Sequence, residues 1–246
     1  MTQIGPFDLE KKAAVVAVIL EKPPETSKKA AEKGADILEI RLDLLGIRDL
    51  EKAAEIIREI KSEAGLPVIA TNRSSAEGGK WEGTEEDRTG LLIGLLTYPL
   101  SLKNGPDAID IELSASREGR DKVIKAAKDH GKIVIVSSHD FSKTPSPQEM
   151  KAILEEMFLA GADIAKLAVM PQSMEDVLNL LRVTLDFRNE GKSVCTIAMG
   201  KSGKHTRVVA PLYGSVLTYA SVESGEAAAP GQLPVDEVKK IMEMLK

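Results

Sequence analysis

Lys132-Ile133-Val134-Ile135-Val136-Ser137-Ser138-His139, then Pro147 to Ala160, Gly161, and Ile164-Ala165-Lys166-Leu167-Ala168-Val169-Met170 is the stretch that decides the fold. A β-branched run, a polar loop, a helical segment opened by proline and closed by glycine, and a second apolar run make one strand, loop, helix, strand unit. The unit recurs along the chain. Strands are expected at Ala13 to Leu20, Ile37 to Asp43, Pro67 to Arg73, Ala108 to Leu113, Lys132 to His139, Ile164 to Met170, Val194 to Met199 and Leu217 to Val222. Helices are expected at Glu25 to Lys33, Asp49 to Ala64, Glu86 to Leu96, Arg117 to His130, Pro147 to Ala160, Ser173 to Asn189 and Pro234 to Leu245. Gly34, Gly65, Gly131, Gly161 and Gly191 follow helices where a left-handed cap is wanted.

Eight such units in 246 residues predict an α/β protein, a (β/α)8 TIM barrel forming a single domain over residues 1–246. A doubly wound open sheet carries the same local pattern and is the alternative. Two observations favour the barrel: no Gly-x-Gly-x-x-Gly follows the first run, and polar residues gather at the C-terminal ends of many runs. No stretch rich in Pro, Gly or Ser divides the chain.

Hydrophobic residues make up 43% and charged residues 29%, the balance of a folded soluble protein. Lys plus Arg number 33 against 38 Asp plus Glu, a net charge of −5, so nucleic acid is not an expected partner. The single cysteine, Cys195, has no partner for a disulfide within the chain, and no Cys/His cluster offers a metal site. The apolar run Ala13 to Leu20, preceded by Asp8, Glu10, Lys11 and Lys12, is too short for a signal peptide. No run is long enough to span a bilayer, so no membrane association is expected and the cytoplasm is the expected location.

The chemistry centres on Lys166, an ammonium inside an apolar strand. There it must be paired, neutral or used. Period-two alternation places Ile164, Lys166 and Ala168 on one face. If that face is the barrel interior, desolvation favours the free amine, a nucleophile; a buried ion pair to Glu39, Asp110 or Glu112 is the competing reading. His139 ends the fifth strand, where this architecture places acids and bases. In Glu39-Ile40-Arg41-Leu42-Asp43 the charged residues share one face and Ile40 and Leu42 the other. Arg73 and Glu77 follow the third strand in a glycine-rich loop without phosphate-loop spacing, and Trp81 reads as loop packing. Arg207 lies past a flexible cationic loop and suits a carboxylate, whereas Lys201 and Lys204 read as solvated charges. The small-residue segment Ala227 to Gln232 is a candidate lid. His130 at a helix end and His205 in a basic loop carry no claim.

Taken together the motifs are similar to those of the type I 3-dehydroquinate dehydratases of the shikimate pathway, from about Ala13 onward. They are Glu-Ile-Arg-x-Asp at Glu39 to Asp43, Asn-Arg then Glu-Gly-Gly at Asn72 to Gly79, and Ser-x-His-Asp-Phe at Ser137 to Phe141. Ala-Lys-Leu-Ala at Ala165 to Ala168, Met-Gly with a downstream Arg at Met199 to Arg207, and Ala-Pro-Gly-Gln at Ala229 to Gln232 complete the set. The resemblance implies syn loss of water from 3-dehydroquinate to give 3-dehydroshikimate through an imine on Lys166, with no cofactor, in a homodimer. It implies that His139 moves the proton and Glu77 orients His139. It further implies that Arg207 holds the substrate carboxylate, that Glu39, Arg41, Arg73 and Gln232 contact hydroxyls or shape the pocket, and that Met199 walls the imine. Two departures stand out: Ala228 occupies the position of a family serine, which predicts weaker substrate binding, and Tyr219 that of a frequent Phe. Another Schiff-base lyase or class I aldolase, and a non-catalytic small-acid-binding barrel, are the alternatives.

Overall fold

The computed structural model describes residues 2–98, 104–223, 225 and 228–245. After an antiparallel hairpin, β1 (Gln3–Ile4) and β2 (Phe7–Asp8), come eight parallel strands: β3 (Ala14–Ile19), β4 (Ile37–Arg41), β5 (Val68–Thr71), β6 (Ala108–Glu112), β7 (Ile133–Asp140), β8 (Ile164–Val169), β9 (Val194–Ala198) and β10 (Leu217–Ser221). β10 pairs with β3, and every strand from β3 to β8 pairs with its successor. The seam between β9 and β10 is drawn together by the Val216 N–H, which donates to the Val194 carbonyl at 2.8 Å. The sheet is thus a nearly closed barrel, and all eight expected strands are in it.

Helices alternate with the strands: α1 (Pro23–Glu32), α2 (Leu50–Ala64), α3 (Glu85–Thr97), α4 (Arg117–Asp129), α5 (Pro147–Leu159), α6 (Met174–Asn189), the single turn α7 (Gly200–Gly203), α8 (Thr206–Tyr213) and α9 (Val235–Met244). α2 shows how sequence sets such an element. Asp49 caps it by accepting the Lys52 N–H at 2.8 Å, and Gly65 ends it at φ 65°, where a Cβ would be strained. Between the caps Ala53, Ala54, Ile57 and Ile60 recur at helical spacing and are buried. Each isoleucine contributes roughly 1.5–3 kcal/mol by leaving water.

Strand alternation divides the core in two. Val15, Ile40, Leu42, Leu167 and Val169 pack outward under the helices. Val16, Ile37, Ile69, Ile135, Ile164 and Cys195 fill the barrel interior. Cys195 is therefore interior filler, its thiol pushed up to about 11 by burial. Ile4 in the hairpin and Leu9 just after it join that interior cluster. Two-residue strands are too short to show alternation, so the hairpin has no periodic signal in the sequence. The apolar interior gives way to charge at the C-terminal ends of the strands, and there the cavity lies.

Candidate active site

A cavity opens at that end, lined by Glu39, Arg41, Arg73, Glu77, His139, Lys166, Met199, Arg207 and Gln232. These are all nine residues singled out from the sequence. His130, His205, Trp81, Lys201 and Lys204 are not among its lining. Trp81 is buried in its loop, with its indole N–H donating to the Thr84 carbonyl at 3.0 Å.

Glu39, Asp110, Lys166 and Tyr219 come from alternate barrel strands and meet as one layer. Lys166 is inward and buried, as the alternation requires, but its amine is not bare. Nζ donates to Asp110 Oδ2 at 2.8 Å, lies 3.8 Å from Glu39 Oε1, and sits 4.0 Å from the centroid of the Tyr219 ring. The competing ion-pair reading thus describes the resting side chain, with Asp110 as first partner. A low-dielectric barrel leaves an ammonium no cheaper arrangement than a carboxylate at contact distance. Burial pushes the Asp110 carboxyl up, yet Arg73 and then Lys166 outweigh it and hold the group well below the usual range.

Arg73 is equally committed. It contacts Asp110 at 2.9 Å and Glu112 at 3.0 Å, and donates to Ser137 Oγ at 2.7 Å. Glu112 also takes Arg88 at 2.6 Å. Arg41 grips Asp43 through two bonds of 2.9 and 2.8 Å, while Asp43 accepts the backbone N–H groups of Arg73 and Lys80. These side chains form a preset charged floor. Asp110, Glu112 and Arg88 gain their roles only from contacts across the barrel, which adjacency in sequence does not display.

His139 enters from the end of β7. Its Nδ1 lies 2.8 Å from Glu77 Oε2, the same oxygen that accepts the His139 backbone N–H at 2.9 Å. The other oxygen, Oε1, accepts the Ser114 hydroxyl. An ionised Glu77 with both oxygens accepting fixes the proton on Nδ1 and leaves Nε2 as a free base. Burial, then the positive charges of Arg73 and Lys166, push His139 well below its ordinary value, so the ring is neutral at pH 7. Phe141 stacks beside it, ring centroids 6.5 Å apart.

Arg207 contrasts with the other cations. Among the described residues its guanidinium donates to the Pro230 carbonyl at 3.2 Å, and Nε has no partner. Burial lowers it to about 10. A buried guanidinium without a carboxylate is a ready anion clamp. Ala227 of the candidate lid lies outside the described residues, but Ala228, Ala229 and Gln232 line the cavity. The segment is pinned there: Gly200 N–H donates to the Pro230 carbonyl at 3.2 Å, and Gln232 Oε1 accepts the Ala228 N–H at 2.9 Å. Gly231 makes this possible, since at φ 82° a Cβ would lie 2.6 Å from the Gly200 carbonyl oxygen.

Comparisons with known proteins agree on one relationship. A family model described as type I 3-dehydroquinase matches residues 14–246. The chain is 83% identical over 246 residues, the full length of both, to the 3-dehydroquinate dehydratase of Methanosarcina acetivorans. It is 41% identical over 219 residues to that of Methanothermobacter thermautotrophicus, covering 89% of each. Among solved structures it is similar to the type I 3-dehydroquinate dehydratase of Clostridium difficile with covalently modified comenic acid, at 30% identity and a TM-score of 0.86, covering 95% of this chain and 92% of that one.

Proposed function

The chain belongs to the type I 3-dehydroquinase family, and from that premise we propose how its cavity converts 3-dehydroquinate to 3-dehydroshikimate and water. The activity is a hydro-lyase step of the shikimate pathway.

Arg207 binds the substrate carboxylate, the charge for which a buried guanidinium with no carboxylate partner among the described residues is suited. Lys166, after passing one proton to the neutral His139 or to solvent, attacks the ring ketone through Nζ. The carbinolamine loses the ketone oxygen as water and leaves an iminium, whose positive nitrogen withdraws electrons from the adjacent carbon. His139 Nε2, free once more as a base, takes the proton from that carbon, and the C–H electrons become the enamine double bond. Collapse of the enamine expels the β-hydroxyl, which leaves as water with the proton returned by His139. Hydrolysis of the remaining iminium frees product and restores Lys166. General acid-base help of this kind contributes about 10²–10⁴-fold. The electron sink is the imine itself, so the reaction calls for neither cofactor nor metal.

Glu39, Arg41 and Gln232 face the ring hydroxyls, Met199 walls the imine, and Arg73 acts chiefly through Asp110, since its donors are engaged. The observation that carries the reading is the meeting in one cavity of Lys166, a neutral His139 and an Arg207 whose Nε has no partner among the described residues. The covalently modified ligand named for the Clostridium difficile relative is in keeping with it.

The test is trapping. Borohydride added during turnover of 3-dehydroquinate is expected to leave a reduced adduct, located on Lys166 by mass spectrometry, while Lys166→Ala folds and shows neither adduct nor turnover. An active enzyme that yields no adduct, or one located elsewhere, overturns the assignment. The reading extends to a cytoplasmic homodimer. Among the described residues no helix is long and apolar enough to cross a membrane, and Leu159, Met174, Leu178 and Leu212 on α5, α6 and α8 present apolar surface. Light scattering at twice the chain mass of 26.5 kDa supports the dimer; a monomer at assay concentration refutes it.

A further inference from the structure

Glu77 lies in the short helical turn Ser75–Glu77 after β5, and nothing in its own loop fixes both of its oxygens. One oxygen is committed to His139, by ring and backbone. The other is held by Ser114, which follows β6. The Ser114 position is itself anchored on both sides of the barrel wall: the Leu113 N–H donates to the Ser137 carbonyl at 2.7 Å, and Arg120 donates to the Leu113 carbonyl at 2.7 Å. Ser114 does not line the cavity.

We propose that Ser114 is a positioning residue, whose hydroxyl holds Glu77 in the orientation and ionised form that keep His139 Nε2 free to work the substrate proton. This rests on the reading of His139 given above. A carboxylate pinned at one oxygen only can rotate about its last bond and lose the line between its charge and the Nδ1 proton. Pinned at both, it presents a fixed negative charge as His139 becomes imidazolium in the transition state. The surroundings make that charge costly. Burial pushes the Glu77 carboxyl up, and the Ser114 hydrogen bond is the foremost effect opposing it, ahead of Arg73, while Glu112 adds to the rise. His139 in turn faces Arg73, Lys166, Asp110 and Arg41. None of these replaces a hydroxyl aimed at Oε1.

The experiment compares Ser114→Ala and Ser114→Thr with the parent enzyme, following kcat, KM and the pH profile of kcat/KM. Without the hydroxyl Glu77 protonates more readily, so Ser114→Ala is expected to lower kcat about tenfold, leave KM unchanged and move the acidic limb to higher pH. Ser114→Thr, which keeps the O–H, restores both. In a Glu77→Gln background Ser114→Ala adds no further loss. Unchanged kcat and an unchanged acidic limb in folded Ser114→Ala overturn the proposal, as does an equal further loss in the Glu77→Gln background. Should Ser114→Ala fail to fold, Ser114→Thr against the isosteric Ser114→Val reads the same difference. His139→Ala at parental turnover would instead sink the reading of the site itself.

Discussion

The cavity has two kinds of wall. On the side of β4 to β6, Arg41, Arg73 and Arg88 are tied to Asp43, Asp110 and Glu112 at 2.6 to 3.0 Å. On the side of β9, α8 and β10, Arg207 Nε and the Tyr219 hydroxyl are buried without partners among the described residues. The first wall has its charges neutralised before substrate arrives, so it can hold geometry but has few donors to offer. The second retains donors that no described carboxylate has claimed, and in the proposed function Arg207 directs its own to the substrate. Lys166 lies between, paired with Asp110 of the first wall until, in the proposed mechanism, the ketone takes it.

Asp110→Asn attacks the neutralised wall where two cations share one carboxylate. Leaving Arg73 and Lys166 short of a buried counter-charge is expected to cost about 3–5 kcal/mol, read as a lower urea midpoint at unchanged m-value. A loss under about 1 kcal/mol would show that water or Glu39 replaces Asp110 at little cost, and the contrast between the walls would collapse. Arg207→Ala attacks the open wall and should behave oppositely, with KM rising and stability intact. Losing a charge-assisted clamp of roughly 2–3 kcal/mol corresponds to about 30- to 150-fold. A large fall in stability with KM unchanged would mean that Arg207 serves the fold by holding Pro230.

His139 joins the two walls, and its protonation gives a pH test. Its folded value is depressed by burial and then by Arg73 and Lys166, whereas the unfolded ring titrates near about 6.5. Between those values the unfolded chain binds a proton that the folded chain does not, so stability falls as pH drops below about 6.5, by about 1.4 kcal/mol per pH unit. Substituting Asn for His139 should flatten denaturation midpoints over pH 5 to 6.5 relative to the parent. Equal slopes would show that the ring is protonated in the folded state.

What could be read from sequence follows from distance along the chain. The eight strands were legible because alternation and capping act within a dozen residues, and Lys166, His139 and Arg207 because each is out of place for a core or a loop. Asp110 was visible only as one of three candidate partners, since strand pattern gives the face but not which side chain reaches across the barrel. Ser114 gave no signal: a serine after a strand is ordinary, and its meaning depends on Glu77, 37 residues away. The hairpin is too brief to show a pattern, and the strand pattern alone favours a bare amine at Lys166 because it shows burial and no partners.

Tyr219 is the finest test of the open wall. Its ring supports the Lys166 ammonium at 4.0 Å, while its hydroxyl is buried with no partner among the described residues. The two parts of the side chain therefore act in opposite directions. The ring face stabilises a cation, and in the proposed mechanism the iminium as well, by about 0.5–2 kcal/mol. The phenol, kept protonated by burial and then by Glu39, leaves one buried donor unsatisfied at a cost near 1 kcal/mol. Tyr219→Phe keeps the first and removes the second, so the midpoint of unfolding should rise by about 1 kcal/mol with kcat unchanged. If instead KM for 3-dehydroquinate rises while stability stays level, the hydroxyl is satisfied by the substrate, and the open wall supplies a donor besides Arg207 in place of the serine that Ala228 lacks.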